Sequence, residues 1–383
     1  MKVMVTGATR NCGLAMIRAL ARSGHEVVGA DYRRLPLNLH SKYTKPYYLY
    51  PEPEKEEFFD AIISIIKREK PDVVLPVVDT RQFSRHKKEI ERFAQFLVPD
   101  FESFSIAFDN KTTLEECEKI GIPCPRIFNE SEAVNDLQKN GRRSEPVKVV
   151  IKPRKDIGGG EGVSFVENIE SLKKATDECE SRYGKSVIEE YVPGDTESMR
   201  TLNLLFDRKS KLAAYFTTRK IRQWPTTGGI SVISISTNEW GLVEMMLPFF
   251  EKWQWQGPAE VELKIDSRDN RPKLIEINPR FWGYVGFPIR CGVNFPGIAC
   301  VLAQGALAQD GAYPDYPVGV KYINPSAYIK VIASDLISSK NRLKAIAKII
   351  TDLKGKKVTN NIQLSDPMPI IGKILFEIIH SAE

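Results

Sequence analysis

At 383 residues the chain is long enough for two or three domains, each with its own core, and its 42% hydrophobic and 27% charged content describes a globular protein in water. The net charge of +6 suits a protein that handles anionic small molecules without calling for a nucleic-acid partner, and no run approaches the roughly 20 apolar residues of a membrane span. Cys12, Cys117, Cys124, Cys179, Cys291 and Cys300 form no Cys-x-x-Cys pair and only four histidines accompany them, so no zinc site or disulfide framework is expected and a reducing cytoplasm is the expected setting.

Residues 2–6 form a short apolar strand that Met1 enters directly, with no charged-then-apolar leader. The turn Gly7-Ala8-Thr9-Arg10-Asn11-Cys12-Gly13 leads into helical periodicity at 14–23, and 26–30 make a second strand ending at Asp31. After a connection rich in Pro and Tyr, 56–69 is an amphipathic helix and 72–78 a buried strand with Asp79 at its C-terminal end. Strands alternating with helices predict an open, right-handed parallel α/β domain over 1–104. The glycine turn and Asp31 loosely resemble a dinucleotide fingerprint, but the spacing is GxxxxxG and not GxGxxG. A glycine turn between strand and helix serves close packing whatever binds there.

A second region begins near Ser105. Asp109 or Asn110 is placed to cap a helix running through Ile120, which Gly121-Ile122-Pro123 ends. Residues 147–152 are a β-branched strand entering a glycine-rich segment at 153–163, followed by a helix at 170–183, a strand at 186–192 and the turn Pro193-Gly194-Asp195. A hairpin is predicted from 202–206 and 212–218, a loop over 224–230, and a helix over 242–250. Residues 259–266 and 273–280 alternate apolar and polar side chains around Ser-Arg-Asp-Asn-Arg-Pro, which reads as a β-hairpin with one solvated face. A largely apolar, buried helix is expected over 295–308. Beyond it, helical stretches alternate with polar turns. Leu343, Ile346, Ile349 and Ile350 recur there at helical spacing with Arg342, Lys344 and Lys348 between them, the usual signature of packing, although a cap over a substrate pocket or a dimer interface would use the same pattern. Boundaries at 105–190, 191–310 and 311–383 follow.

Glu262, Glu276 and Asn278 fall on the solvated face of the carboxylate hairpin, with Arg280 just beyond. Two carboxylates and an amide oxygen at close quarters repel one another unless a hard cation sits between them, and oxygen ligands with spare positions suit Mg²⁺ or Mn²⁺ bridging nucleotide phosphates. An isolated hairpin of this composition also reads as an ordinary charged face. The run at 158–162, glycines around Glu161, lets backbone N–H groups wrap a polyphosphate, although no Gly-Lys-Ser/Thr follows. Lys152 ends a strand and Lys111 opens a helix. Glu189-Glu190-Tyr191-Val192 presents a strand edge to a purine and Glu197 follows near enough for ribose hydroxyls, while each glutamate singly also reads as surface. Arg219-Lys220-Ile221-Arg222 offers guanidinium forks to a carboxylate substrate, with Arg222 the first candidate and Arg290 the second, against a solvated basic strand end.

Taken in order, these pieces resemble the ATP-grasp superfamily. Val150-Ile151-Lys152-Pro153, the glycine run at 158–163, Ile188-Glu189-Glu190-Tyr191-Val192-Pro193-Gly194 and Leu274-Ile275-Glu276-Ile277-Asn278-Pro279-Arg280 carry the likeness, the last looking especially like the carbamoyl-phosphate-synthetase-like branch. It spans roughly residues 1 to 310. The resemblance implies an N-terminal open parallel α/β (pre-ATP-grasp) domain, a small subdomain with a glycine-rich lid over 105–190, a large subdomain with a metal-binding hairpin over 191–310, and a mostly helical extension over 311–383. It implies ATP between the subdomains. Lys111 and Lys152 would meet its phosphates and adenine edge, Gly158, Gly159 and Gly160 would close over the phosphates, Glu189, Glu190, Tyr191 and Val192 would meet the adenine, and Glu197 the ribose. Glu262, Glu276 and Asn278 would hold two Mg²⁺ (or Mn²⁺) ions, and Arg280 would stabilise the transferring phosphoryl group. Thr80 stands where relatives often carry a second acidic residue, so their substrate contacts do not transfer to it.

The activity implied is conversion of a small carboxylate to an acyl phosphate at the expense of ATP, then attack by an amine, with ADP and phosphate released and a homodimer left open. Carbamoyl phosphate synthesis is not expected, because that enzyme has two such halves. The competing classes are a catalytically silent ATP-binding regulator and an NAD(P)-dependent reductase. The reductase leaves Glu262, Glu276 and the glycine run without a role.

Overall fold

The computed structural model describes residues 1–35, 40–77, 79–138, 148–155, 160–225, 228–309, 311–338, 342–359, 363 and 365–380. Three sheets organise it. In the N-terminal domain β1 (Lys2–Val5), β2 (Glu26–Asp31), β3 (Thr44–Leu49) and β4 (Val73–Leu75) form a parallel sheet in the order β3-β2-β1-β4. A small antiparallel sheet has β5 (Ile127–Phe128), β6 (Val149–Pro153), β7 (Ser164–Val166) and β8 (Ser186–Glu190) in the order β5-β8-β6-β7. The large sheet contains β9 (Met199–Phe206), β10 (Leu212–Trp224), β11 (Ile230–Thr237), β12 (Gly257–Ile265), β13 (Pro272–Asn278), β14 (Lys321–Ile323) and β15 (Lys357–Thr359), ordered β13-β12-β9-β10-β11-β14-β15.

The parallel sheet follows from the apolar runs of β1, β2 and β4, whose buried Val3, Val5, Val27, Val28, Val73 and Val74 need cover on both faces. Gly13 is required for this packing: a Cβ there would lie 2.2 Å from the Gly7 carbonyl oxygen. The expected connection between Asp31 and the next helix contains a further strand, β3. Its Pro46 disguises it in sequence, but β3 lies at the sheet edge, where a residue without an N–H is tolerated. Asp109 caps the helix Asn110–Lys119 by accepting from the Thr112 N–H. The hairpin β12–β13 forms with Glu260 opposite Asn278 and Glu262 opposite Glu276.

One hydrophobic core joins the N-terminal domain to the large sheet, with Val5, Met16 and Leu20 packed in the same cluster as Phe216, Trp282 and Phe295. Another covers the opposite side of the large sheet with the helix Trp240–Lys252. The described residues after 310 carry three helices (Pro325–Ser338, Arg342–Asp352, Met368–His380), but they also supply β14 and β15 and are therefore part of the large sheet and not an appendage to it. Among the described residues no helix is long and apolar enough to cross a membrane.

Candidate active site

A cleft of about 1020 Å³ opens between the small sheet and the large one. Its floor is the carboxylate hairpin. Strand alternation puts Glu260, Glu262, Glu276 and Asn278 on one face, and all four line the cleft with Arg280. The Asn278 amide donates to Glu276 Oε1 (3.0 Å), Arg280 Nη2 donates to Asn278 Oδ1 (3.2 Å), and Arg280 Nη1 lies 3.8 Å from Glu260 Oε2. Glu262 and Glu276 are direct cross-strand partners, a placement that is destabilising for like charges unless something neutralises them.

Part of that neutralisation comes from Lys220 on β10, whose ammonium donates to Glu262 Oε2 at 3.0 Å and is itself buried. Burial alone would lower the Lys220 pKa, but the attraction of Glu262, Glu276 and Glu260 outweighs it and holds the ammonium raised. Burial pushes the Glu260 carboxyl up, and the Glu262 and Glu276 charges add to this while Arg280 opposes it. Three carboxylates therefore share two cations. Among the described residues no three His, Cys, Asp or Glu side chains converge as a ready-made cage. The donor set instead fits a hard cation that keeps open positions for phosphate or water oxygens, as Mg²⁺ does, with Glu262, Glu276 and Asn278 as the protein's share.

The opposite wall belongs to the small sheet. Lys152 at the end of β6 is buried, pairs with Glu189 at 2.9 Å and donates to the Ile275 carbonyl at 2.9 Å, so it ties the two sheets together across the cleft. Burial raises the Glu189 carboxyl against the pull of Lys152. Glu190, Tyr191, Val192 and Gly160 line the cleft as well, with Phe165 edge-on to Tyr191 at 5.7 Å between ring centres. Glu190 is held by Arg268 (2.6 Å) and Lys273 (3.4 Å), so its carboxylate is committed to these cations.

Several expected residues stand elsewhere. Arg222 does not reach the cleft: its guanidinium is buried against Asp352 (2.8 Å) and Asp335 (3.1 Å) of the C-terminal helices. The reason is a β-bulge at Ile221. Register runs from Lys220 opposite Ser234 to Arg222 opposite Ile233, so the alternation reverses and Lys220, not Arg222, faces the carboxylates. The Lys111 side chain is 41% exposed and its ammonium lies 3.6 Å from Glu115, away from the cleft lining. Glu197 pairs with Arg219 outside the lining, while Asp195 and Thr196 are within it. Arg290 also lies off it. Gly158 and Gly159 lie outside the described residues.

Lys220 and Glu260 join the site without standing out in the sequence as ligands. Glu260 carried a legible signal, since it alternates with Glu262; Lys220 did not, because a bulge leaves no mark in composition. The cleft also reaches Arg10, Asn11 and Cys12 of the N-terminal domain and Tyr322 and Asn324 at β14. Asp31, the would-be ribose ligand of a dinucleotide site, is fully buried and accepts from the Thr9 N–H (2.7 Å), the Thr9 hydroxyl (2.8 Å) and the Arg33 N–H (3.0 Å). Its carboxylate is committed to shaping the turn.

The family described as "ATP-grasp in the biosynthetic pathway with Ter operon" matches residues 210–325, which run from β10 through the carboxylate hairpin to β14. The fold is shared with biotin carboxylase from Campylobacter jejuni, solved as a β,γ-ATP complex, at a TM-score of 0.64 and 16% identity over 80% of this chain and 72% of that one. The chain has the ATP-grasp fold. Among curated relatives, D-aspartate ligase of Enterococcus faecium (strain Aus0004) is 25% identical over 215 residues, covering 51% of this chain and 50% of that protein. The formate-dependent phosphoribosylglycinamide formyltransferase of Ignicoccus hospitalis is 28% identical over 197 residues, 48% of this chain and 45% of its own length. The chain thus spans half or less of the curated relatives it matches.

Proposed function

We propose that this ATP-grasp protein is an ATP- and Mg²⁺-dependent ligase that activates a small carboxylate as an acyl phosphate and passes it to an amine, releasing ADP and phosphate. The observation that carries the reading is the in-register pair Glu262–Glu276, flanked by Asn278, Arg280 and Lys220, on the floor of a cleft whose other wall holds Lys152 and the 190–192 edge. The names of the curated relatives, one a ligase and the other a formyltransferase, favour acyl transfer over redox chemistry.

In this reading Lys152 and Gly160 hold the nucleotide's phosphates, and the backbone beside Tyr191 and Val192 meets its base. Glu262, Glu276 and Asn278 hold the metal, which when bound neutralises charge on the phosphates. Arg280 faces the oxygens of the group in transfer. The substrate carboxylate oxygen attacks the terminal phosphorus as the bond to ADP breaks. The amine nitrogen then attacks the acyl carbon, loses its proton and expels phosphate. Such chemistry needs positioning and charge neutralisation and no covalent nucleophile from the protein, which matches a cleft lined by Lys152, Lys220 and Arg280 beside the metal-binding oxygens.

The deciding measurement is ADP and phosphate release with Mg²⁺-ATP across amino acids and small carboxylates, singly and in pairs, for wild type and Glu276→Ala. Turnover that requires a specific pair, and that falls on the order of 10²–10³ in the variant, is expected. ATP binding without stimulated release by any pair would favour a silent nucleotide-binding regulator, and failure to bind ATP would overturn the reading.

A further inference from the structure

The helices Pro325–Ser338 and Arg342–Asp352 pack on one another and place Ala327, Tyr328 and Val331 in a core with Val232 and Ile233 of the large sheet. Amphipathic helices on a protein surface normally end their apolar pattern there. These do not: Ile337 is 86% exposed, Leu343 79%, Ile329 68% and Ile350 53%. The expectation that Leu343, Ile346 and Ile350 pack in the ordinary way fails, since all three face solvent.

The charge around them is one-sided. Residues 325–357 hold eight Lys and Arg against two Asp, a surplus equal to the net charge of the whole chain. Both acids, Asp335 and Asp352, turn inward onto Arg222, while Lys330, Lys348, Lys354, Lys356 and Lys357 are exposed. The outer surface of this helical pair therefore presents large aliphatic side chains among lysines, with its carboxylates withdrawn.

We propose that this face docks the protein onto the surface of a membrane that carries anionic lipids, with Ile337 and Leu343 entering the boundary between headgroups and acyl chains and the lysines lying over the headgroups. Exposed aliphatics of this size lose most by staying in water, and basic residues beside them match a negative surface. A second copy of the chain is the poorer occupant, because a two-fold interface would set this lysine-rich surface against itself. A nucleic acid would take the lysines but leave the aliphatics in water. The inference is independent of the reaction assigned to the cleft.

Flotation of the full-length protein with vesicles of phosphatidylcholine, alone or mixed with phosphatidylglycerol, tests it. Co-flotation with the mixed vesicles only, weakened by salt, is expected. The Lys354→Gln/Lys356→Gln variant is expected to partition on the order of tenfold or more less strongly, and Ile337→Asp/Leu343→Asp to stay unbound. Failure of wild type to float with anionic vesicles, equal flotation with neutral ones, or insensitivity to salt would overturn the proposal, and none of these depends on a variant folding. So would a wild-type dimer in light scattering that Ile337→Asp/Leu343→Asp converts to monomer, which would give the face to a second copy.

Discussion

Lys220 is buried beside Glu262 and within the field of Glu260 and Glu276, so its ammonium offsets charge that an ordinary core would not tolerate. Replacing one member of a buried ion pair leaves the other uncompensated and typically costs about 3–5 kcal/mol. Lys220→Met should lose stability of that order in urea denaturation with chelator present, and markedly less in excess Mg²⁺, because a cation between the carboxylates restores part of the neutralisation. Equal losses in both buffers would mean that the carboxylates do not hold the metal. Asp79, which precedes the helix Thr80–Arg85 after β4, poses the opposite problem. Burial pushes its carboxyl from 3.8 up to about 7, against hydrogen bonds from Tyr50 and Thr6 and the charge of Arg10. Between those values the folded protein keeps a proton that the unfolded chain has released, so stability falls as pH rises from about 4 to about 7 and is level above that. Asn keeps an acceptor for the Tyr50 hydroxyl without the charge. Asp79→Asn should therefore be more stable than wild type by about 1–3 kcal/mol at pH 8 and equal to it at pH 4. A variant less stable at pH 8 would show that the charged form is well solvated in the fold.

At the scale of single elements, the bulge in β10 decides which basic residue serves the cleft. Without the extra residue at Ile221, Lys220 and Arg222 would share a face; with it, Arg222 turns to the C-terminal helices and links Asp335 to Asp352. Arg222→Met should raise amide exchange across Pro325–Ser338 and Arg342–Asp352 while nucleotide affinity stays within a few-fold of wild type. Lost substrate turnover with unchanged exchange would return Arg222 to the role its sequence context first suggested. The same bulge marks where the sequence stops being legible. Period-two alternation located the carboxylate hairpin and placed Glu262, Glu276 and Asn278 together, because each strand there is regular over the residues concerned. It fails in β10, where register shifts on both sides of Arg222 break the alternation, and in β3, where Pro46 hides an edge strand among tyrosines. Lys111 and Glu197 illustrate a different limit: motif order places a residue near a site, but the direction of an exposed side chain depends on neighbours such as Glu115 and Arg219.

For the whole molecule, the cleft is a joint product of segments that the sequence divides into separate domains. Arg10, Asn11 and Cys12 reach it from the N-terminal domain, and Tyr322 and Asn324 from β14, beyond the boundary drawn at 310. The far C-terminal segment returns to the N-terminus: Asp366 accepts from Arg18 Nε (2.9 Å), from the Ser41 hydroxyl (2.7 Å) and from the Lys42 N–H (3.0 Å), with both Arg18 and Asp366 buried. A protein ending at 310 would strip Arg18 of Asp366 and Arg222 of Asp335 and Asp352, leaving two buried guanidinium groups without their carboxylates. It would also open the β11 edge that β14 covers and expose Val232 and Ile233. At about 3–5 kcal/mol for each broken buried pair, the deficit rivals the 5–15 kcal/mol that stabilises a typical domain. The truncation should therefore lose its cooperative thermal transition and its affinity for ATP together, as read by calorimetry and by nucleotide titration. A truncated chain that melts cooperatively and binds ATP like the full one would show that β14, β15 and the helices around them are an addition to a fold already complete at 310. The buried pairs reaching back to Arg18 and Arg222 argue that they complete it.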